Sequence, residues 1–247
     1  MDILKAEKIT KIFEGEKGQV KALEGITFTV QEGEFLSIIG PSGCGKSTLL
    51  KIIAGLEKPT SGEIYLKDQK IIGPNPGTSF IFQNFALFPW LTVEENIAFP
   101  LKMKNEDKKT IAKKVASAIK EVGLSGFEKS HPKELSGGMR QRVGIARALM
   151  GENSIILADE PFSALDAFTA KELRDDLLKI WKKLKRTIVL VTHLVDEAVY
   201  LSDRIIVLTA RPGKVEKIIE NNLQRPRNIR SEGFYKIADE LTGIVKP

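Results

Sequence analysis

The sequence of 247 residues contains a single cysteine, Cys44, and only two histidines. One cysteine cannot form an internal disulfide, so the chain lacks the cross-links of small secreted domains, and we expect a cytosolic protein. No apolar stretch approaches the ~18 residues that a membrane span needs. The first residues, MDILKAEKITK, lack the apolar region of a secretory signal. We therefore expect neither a membrane-spanning segment nor an export signal.

The sequence also lacks internal repeats and low-complexity segments. Its net charge is +6 and its pI is about 9.2. A basic surface can bind nucleic acid or anionic lipid, or can serve no ligand. In EDKKTIAKKVASAIKEVG, lysines alternate with Ile111, Val115, Ala118 and Val122 at helical spacing. This pattern favours a solvated helix face over a ligand site.

Short runs separated by turn residues occupy the first part of the chain. The runs ILKAEKITKIF, ITFTV and GEIYL are separated by turn signals, which predicts antiparallel strands. Four later runs are short, apolar and rich in isoleucine and valine: TSFIFQ, SIILAD, TIVLVTH and RIIVLTA. Such runs are typical of central parallel strands.

Helical patterns lie between these strands. A helix from about Lys46 to Ala54 is predicted after the apolar run FLSIIG, with Gly55 as its C-terminal stop. Between Asn84 and Glu134 the pattern changes to helices and loops, which indicates a helical insert. The tail after Gly213 is polar and basic, and we expect its segment LQRPRNIR to form no core.

The stretch GPSGCGKS fits the phosphate-loop pattern G-x-x-x-x-G-K-[ST], with an apolar strand before it and a helix after it. Its glycines allow backbone N–H groups to turn toward phosphate oxygens. Lys46 would supply a charge at the β and γ phosphates, and the Ser47 hydroxyl would ligate Mg²⁺. The Cys44 thiol is incidental in this interpretation. The residues predicted to bind nucleotide are Gly40, Pro41, Ser42, Gly43, Cys44, Gly45, Lys46, Ser47 and Thr48.

Polar residues follow three apolar strands. Asp159 and Glu160 end SIILADEP, where Asp159 would hold Mg²⁺ and Glu160 would orient a water; the alternative is a pair of solvated loop acids. His193 follows TIVLVT and would contact the γ phosphate or serve as a structural hydrogen-bonding group. Gln83 follows FIF and could reach Mg²⁺ or water through its amide oxygen. We assign His131 no chemistry.

A second anion-binding helix start lies in HPKELSGGMRQR. Ser136, Gly137 and Gly138 stand ahead of a predicted helix, where a hydroxyl, N–H groups and the helix dipole can meet a phosphate. One nucleotide has no need of two such sites in the same chain.

These motifs, in this order, resemble the ATP-binding-cassette (ABC) ATPase family over nearly the whole chain. GPSGCGKST resembles Walker A, ILADEP Walker B, VTH the H-loop, SALD the D-loop, and Gln83 occupies the Q-loop position. LSGGMRQR resembles the family signature, with Met139 where glutamine is commoner. The resemblance implies that Phe13 stacks on adenine, a residue that the sequence alone would assign to the core.

The resemblance also implies a fold and its divisions. We expect an α/β P-loop NTPase with a mixed RecA-like sheet core, an N-terminal antiparallel β part and a helical signature subdomain. The single ABC ATPase domain would cover 1–247, with 1–83 and 154–220 as catalytic core, about 84–150 as helical subdomain and 221–247 as C-terminal tail.

In this family two cassettes sit head to tail, and each ATP lies between the Walker A of one and the signature of the other. The resemblance therefore implies a second cassette as partner, most simply an identical one. Asp166 of SALD would lie at that interface; it could equally cap the helix AFTAKELRDDLLKIWKKLK, and both roles are compatible. In that helix Leu173, Leu177, Trp181 and Leu184 form a predicted apolar stripe.

Further stretches, including LFPWLTVEENIAFPL and RPRNIRSEGFY, resemble the nitrate/sulfonate/taurine branch of importers. That likeness implies transmembrane permease subunits, an external solute-binding protein, and a peripheral location on the cytoplasmic face of the membrane. Phe85, Phe88, Trp90 and Leu91 either fold into the helical subdomain or dock a partner. We expect part of this segment to line a groove for a helix of the permease.

The alternative function is a soluble ABC ATPase acting on nucleic acid or the ribosome, which the basic pI keeps open. Repair types insert a long coiled coil between Walker A and signature, whereas this chain has no sustained heptads there. Translation types carry two cassettes in one chain, and this chain has one. We therefore expect no nucleic-acid partner.

Overall fold

The computed structural model describes residues 1–15, 18–151 and 153–245. The chain divides into two compact units, a first unit of Met1–Thr78 with Lys185–Pro247 and a second unit of Ser79–Leu184. The elements in chain order are β1 (Asp2–Gly15), β2 (Gly18–Gln31), β3 (Phe35–Ile39), α1 (Lys46–Ile53), β4 (Ser61–Leu66), β5 (Gln69–Lys70), β6 (Thr78–Ile81), α2 (Val93–Met103), α3 (Lys108–Glu121), α4 (Gly137–Met150), β7 (Ile155–Asp159), α5 (Ala167–Leu184), β8 (Thr187–Val191), α6 (Val195–Leu201), β9 (Arg204–Leu208), β10 (Val215–Glu220) and α7 (Glu232–Ile244).

The first unit contains an antiparallel sheet in the order β2–β1–β4–β5. β1 pairs with β2 and with β4 antiparallel, and the pairing brings Phe13 opposite Val20. Leu4, Ala6 and Ile9 of β1 are buried. The three N-terminal runs are thus antiparallel strands, as predicted.

A mixed sheet forms the core of the first unit, in the order β10–β9–β3–β8. β3 pairs parallel with both β8 and β9, whereas β10 pairs antiparallel with β9. Every residue of β3 and β8 is buried, which explains why all but Ser37 and Thr187 are apolar. Because parallel strands end at the same edge of a sheet, the segments after β3 and β8 lie at one edge.

Helix α1 ends as the sequence predicts. Its C-cap is Ala54, and Gly55 follows with a φ of 72°. A Cβ on Gly55 would lie 1.8 Å from the Gly73 carbonyl oxygen, so both conformation and space require glycine there.

The prediction that LQRPRNIR forms no core was wrong at Arg227, the one buried residue of this segment. Arg227 is 5% exposed and donates hydrogen bonds to the carbonyl oxygens of Val199 (2.8 Å) and Tyr200 (3.1 Å) in the last turn of α6. These carbonyls have no partner within a helix, so the guanidinium caps the helix end. Phe234 and Leu241 of α7 pack into the same apolar cluster as α6. Hydropathy alone cannot predict a buried arginine whose hydrogen-bond partners are backbone carbonyls.

The second unit contains β6 and β7 as neighbouring strands and the helices α2 to α5. The helices begin at residues whose side chains cap them, Thr92 for α2, Asp107 for α3 and Ser136 for α4. The predicted stripe on α5 is confirmed at Leu173 and Leu177, but Ile180 is the next buried residue and Leu184 is 39% exposed. Leu184 is the last residue of α5, and the prediction was wrong to extend the stripe to that end.

Candidate nucleotide-binding site

Glycines fix the loop between β3 and α1 in the first unit. Gly43 and Gly45 have φ values of 74° and 102°, in the left-handed region that disfavours residues with a Cβ. A Cβ on Gly45 would lie 2.7 Å from Leu23 Cδ2, and one on Gly40 would lie 2.9 Å from the Leu208 carbonyl oxygen. The phosphate-loop pattern thus corresponds to a backbone that only glycine can adopt at these places.

Lys46 is the first residue of α1, and its buried side chain folds back over the loop. Its Nζ donates to the carbonyl oxygens of Gly40 (2.7 Å) and Pro41 (3.0 Å) and lies 4.0 Å from Cys44 Sγ. The N-cap residue of α1 is Gly45, which has no side chain to cap the helix, so its first N–H groups and the ammonium give this end positive potential. Burial raises the pKa of the Cys44 thiol, which keeps it protonated near neutral pH. Such a loop fits a polyphosphate.

A segment after β9 supports the loop from outside, and the sequence reasoning missed it. Arg211 donates from Nε (3.1 Å) and Nη2 (3.0 Å) to the Gly43 carbonyl oxygen. Gly213 lies so close that a Cβ on it would be 2.2 Å from the Cys44 carbonyl oxygen. The sequence Arg-Pro-Gly predicts a turn here. It does not predict that Arg211 contacts a residue 168 positions away.

Two further predicted site residues belong to the first unit. His193 is exposed and follows β8, at the sheet edge where β3 leads into the phosphate loop. Thr192 beside it is buried, and its hydroxyl donates to Glu197 Oε2 (2.7 Å) and accepts from the Leu194 N–H (3.1 Å), which fixes this turn. Phe13 is 39% exposed rather than in the core, with Lys11 Nζ 4.8 Å from its ring centroid. One face of the Phe13 ring is therefore covered by a cation.

In the second unit, one serine links two of the predicted residues. Gln83 Nε2 donates to Ser163 Oγ (3.2 Å), and Ser163 Oγ donates to the Glu160 carbonyl oxygen (3.0 Å). Asp159 is the half-buried last residue of β7, and Glu160 follows with a φ of 44°. The left-handed backbone at Glu160 makes a sharp turn directly after the strand. Ser163 was not predicted as part of this arrangement.

The glycine-rich signature turn and the SALD segment also pack together within the second unit. Ser136 caps α4 by accepting a hydrogen bond from the Met139 N–H (3.3 Å). A Cβ on Gly138 would lie 2.5 Å from Thr169 Cγ2, and one on Gly137 would lie 3.4 Å from Leu165 Cδ2. Small residues therefore let the signature turn rest against the start of α5.

Asp166 caps α5, which confirms one of its two predicted roles. Its carboxylate accepts hydrogen bonds from the N–H groups of Phe168 (3.1 Å) and Thr169 (3.0 Å). The Thr169 hydrogen bonds lower the pKa of this carboxyl because they stabilise its charged form. Its interface role stays a prediction.

The mixed sheet and the glycine-built loop define a P-loop nucleotide-binding protein. Residues 23–163 match the family model described as ABC transporter. The chain belongs to the ABC transporter family, binds ATP and is an ATPase. Among residues 1–15, 18–151 and 153–245, no helix is both long and apolar enough to span a bilayer.

Curated relatives cover nearly the whole chain. An aliphatic sulfonates import ATP-binding protein of Bacillus thuringiensis is 52% identical, over 95% of this chain and 92% of its own length. An ABC transporter ATP-binding protein of Methanocaldococcus jannaschii is 50% identical over 98% and 91%. A nitrate import ATP-binding protein of Synechocystis is 39% identical over 98% and 95%.

Solved structures confirm the predicted fold class. The dimeric structure of the ATP-binding cassette MJ0796, in a post-hydrolysis state with ADP and Pi, has a TM-score of 0.79 and 36% identity. It covers 90% of this chain and 100% of its own. The chain therefore has the P-loop ABC-cassette fold, with its antiparallel sheet, mixed sheet and helices.

Proposed function

We propose that this chain is the ATP-hydrolysing subunit of a membrane importer at the cytoplasmic face of the membrane. It couples ATP binding and hydrolysis, at a head-to-tail dimer interface, to uptake of an anion of the nitrate, sulfonate or taurine kind. The observation that carries this proposal is 52% identity over 95% of the chain with an aliphatic sulfonates import ATP-binding protein. The similarity therefore extends over the chain between and around the motifs, not only over the motifs themselves.

In this proposal the first unit binds the nucleotide. Residues 40–48 wrap the phosphates through backbone N–H groups, Lys46 places its charge at the β and γ phosphates, and Phe13 stacks on adenine. Ser47, Gln83 and Asp159 supply hydroxyl, amide and carboxylate oxygens, the ligand types that Mg²⁺ prefers. When bound, Mg²⁺ neutralises charge on the β and γ phosphates.

Glu160 and His193 have the proposed catalytic roles together with Lys46. Glu160 orients and polarises the attacking water, because positioning and charge stabilisation are the main contributions of protein to phosphoryl transfer. His193 donates a hydrogen bond to the γ phosphate. The Gln83–Ser163–Glu160 hydrogen bonds support this assignment because they link the Gln83 amide to the backbone of Glu160.

A second cassette completes the site. Ser136, Gly137 and Gly138 would bind the γ phosphate held by the partner cassette, with the positive end of α4 behind them. Asp166 would lie at the same interface, and the packing of its helix start against Gly138 supports this. Two copies of one chain provide both complete sites by symmetry.

The proposed permease contact lies in the second unit. Trp90 is 71% exposed, an uncommon state for so large an apolar side chain. A groove of about 650 Å³ lies between α2 and α3, with Ala98, Val115 and Ile119 in its walls. We expect part of the segment after Gln83, including Trp90, to line a groove that receives a short cytoplasmic helix of a transmembrane permease, while an external solute-binding protein delivers the solute.

Changing Trp90 to Glu tests that contact. ATP binding and basal ATPase should persist, because no phosphate-loop residue is changed, whereas stimulation by the co-expressed permease should be lost. Loss of nucleotide binding or of folding would instead place Trp90 in a structural role.

The dimer is tested by Glu160→Gln. This variant should bind ATP without turnover and accumulate as a dimer with two nucleotides, measured by light scattering at saturating Mg-ATP. Ser136→Trp in the same background is the control, since a bulky residue at the signature should prevent closure. A Glu160→Gln chain that stays monomeric contradicts the assignment of Glu160 or of the dimer.

The net charge of +6 gives the nucleic-acid alternative a specific test. Gel-shift binding to RNA and DNA should be weak at physiological salt, because the lysines are solvated rather than assembled into a site. Tight binding with a steep salt slope would favour the alternative over the importer. The solute itself should be identified on the solute-binding protein that co-purifies with the permease.

A further inference from the structure

The loop that follows β6 contains two consecutive strained residues. Phe85 and Ala86 have φ values of 64° and 43°, in the left-handed region, although neither is glycine. Residues with a Cβ occupy this region only when their surroundings hold them there. Some feature of the second unit must therefore stabilise the carbonyl orientations of this pair.

Arg147 of α4 makes the contacts that do so. Its Nη1 donates to the Ala86 carbonyl oxygen (2.7 Å) and its Nη2 to the Phe85 carbonyl oxygen (3.2 Å). The same guanidinium lies 5.6 Å from the centroid of the Phe88 ring. Two donors of one rigid group thus hold two successive carbonyls of the strained turn. Burial lowers the pKa of Arg147, so these carbonyls replace much of its hydration.

A second arginine on the same helix contacts the same loop. Arg140 lies seven positions before Arg147, two turns along α4, and its guanidinium lies 5.3 Å from the centroid of the Phe85 ring. One face of α4 therefore follows the loop from Phe85 to Phe88. This is the helix that Ser136 caps.

We propose that Arg147 is a positioning residue that fixes Gln83 by pinning the left-handed pair Phe85–Ala86 to the signature helix α4. It rests on the proposed function, in which Gln83 reaches Mg²⁺ or water. Gln83 is two residues before the strained pair, so release of the pair would free the Gln83 amide from Ser163. Helix α4 would then position both the loop beside the proposed permease contact and the signature turn.

A plain structural role for Arg147 makes a different prediction. If Arg147 only stabilises the second unit, any weakening should be independent of the residue at position 86. If it holds Ala86 in the left-handed conformation, glycine at position 86 should remove much of the need for it, because glycine adopts that conformation without strain.

The test is a double-mutant cycle on the full chain with Mg-ATP. Arg147→Lys keeps the charge but loses the paired donors, and we expect kcat to fall about tenfold with KM for ATP within about twofold. In the Ala86→Gly background the same change should lower kcat by only about twofold to threefold. Ala86→Gly alone completes the cycle.

Lys67→Gly provides the matched control. Lys67 is exposed in the β4–β5 turn of the first unit with a φ of 50°, so this change also introduces glycine at a left-handed site, one that Arg147 does not hydrogen-bond. It should leave the basal activity and the effect of Arg147→Lys unchanged. An equal loss of kcat from Arg147→Lys in the Ala86→Gly and parent backgrounds would overturn the proposal.

Amide hydrogen exchange gives a second readout that requires neither a permease nor turnover. Arg147→Lys should speed exchange at residues 84–88, and Ala86→Gly should restore protection there, while the amides of α4 keep theirs. Uniform loss of protection over α2 and α4 would overturn the proposal. Failure of the importer assignment would appear in the Trp90 experiment and leave this exchange pattern intact.

Discussion

The phosphate loop and the loop after β6 both contain residues in the left-handed backbone region, but different residue types occupy it. The phosphate loop places glycine at its left-handed positions, Gly43 and Gly45, so its backbone adopts this conformation without strain. The loop after β6 places Phe85 and Ala86 in the same conformational region and relies on hydrogen bonds from Arg147. The strained pair therefore depends on the Arg147 contact to offset its strain, whereas the glycines of the phosphate loop have no such strain to offset.

A buried asparagine also hydrogen-bonds the backbone of this loop, beyond the strained pair. The Asn96 amide of α2 donates to the carbonyl oxygens of Phe88 (3.1 Å), Leu91 (3.0 Å) and Thr92 (3.0 Å), and its Oδ1 accepts from the Phe88 N–H (2.9 Å). Two polar side chains, half-buried Arg147 and buried Asn96, therefore hold backbone groups of residues 85–92. Some loops thus depend on glycine at left-handed positions, which we call glycine control, and others on hydrogen bonds from a side chain, which we call side-chain control. Substitutions should distinguish the two, and the largest effect is expected at a glycine.

Gly45→Ala should have the largest effect, because it adds a Cβ to a backbone with φ of 102° and places it 2.7 Å from Leu23 Cδ2. We expect affinity for Mg-ATP to fall about a hundredfold or more, measured by calorimetric titration. Gly243→Ala in α7 is the control, because a Cβ there meets nothing within 4 Å. Affinity within threefold of the parent would contradict glycine control of the loop.

Asn96→Asp is the corresponding test of side-chain control. The change preserves shape, but a carboxylate would face the carbonyl oxygens that the amide now satisfies. We expect a loss of about 3–5 kcal/mol in stability at neutral pH, with recovery as the pH falls and the new carboxyl regains a proton. Thermal unfolding measures it, and Asn222→Asp at an exposed site should be neutral. A stable variant at neutral pH would mean that the loop does not depend on Asn96.

Arg227→Lys asks whether side-chain control also operates in the first unit. The arginine bonds four carbonyl oxygens, those of Val199, Tyr200, Asn221 and Leu223, which a single ammonium cannot reach together. We expect a loss of about 1–3 kcal/mol, seen as a lower unfolding midpoint. Exposed Arg230→Lys is the control. An unchanged midpoint would show that burial of Arg227, rather than its bonds, stabilises the tail.

The sequence predicted the features that depend on local physics. Glycine spacing predicted the phosphate loop because positive φ is a property of single residues, and apolar periodicity predicted the strands and the stop of α1 at Gly55. The cap at Asp166 was predictable because its partners, Phe168 and Thr169, are two and three residues away.

The features that escaped prediction are arginines with distant backbone partners. Arg211 contacts Gly43 across 168 residues, Arg147 contacts Ala86 across 61, and Arg227 contacts Val199 across 28. An arginine in a sequence is normally assigned to solvent, because burying its charge is costly without partners. Backbone carbonyls are present at every position, so the sequence gives no sign of which ones an arginine will meet.

Asp166→Asn should give the smallest effect, because Asp166 is solvent-exposed and asparagine also caps helices well. The Thr169 hydrogen bonds lower the pKa of the aspartate in the folded state, so its extra stabilisation exists above the unfolded pKa of about 3.9 and is lost as the pH falls through the folded value. The difference in unfolding midpoint between parent and variant should therefore be small and positive at pH 7 and vanish in acid. Asp239→Asn, at another exposed aspartate, is the control. A large difference at pH 7 would mean that this carboxylate does more than cap α5. It would also contradict the expectation that an exposed side chain contributes less to stability than buried Asn96 or Arg227.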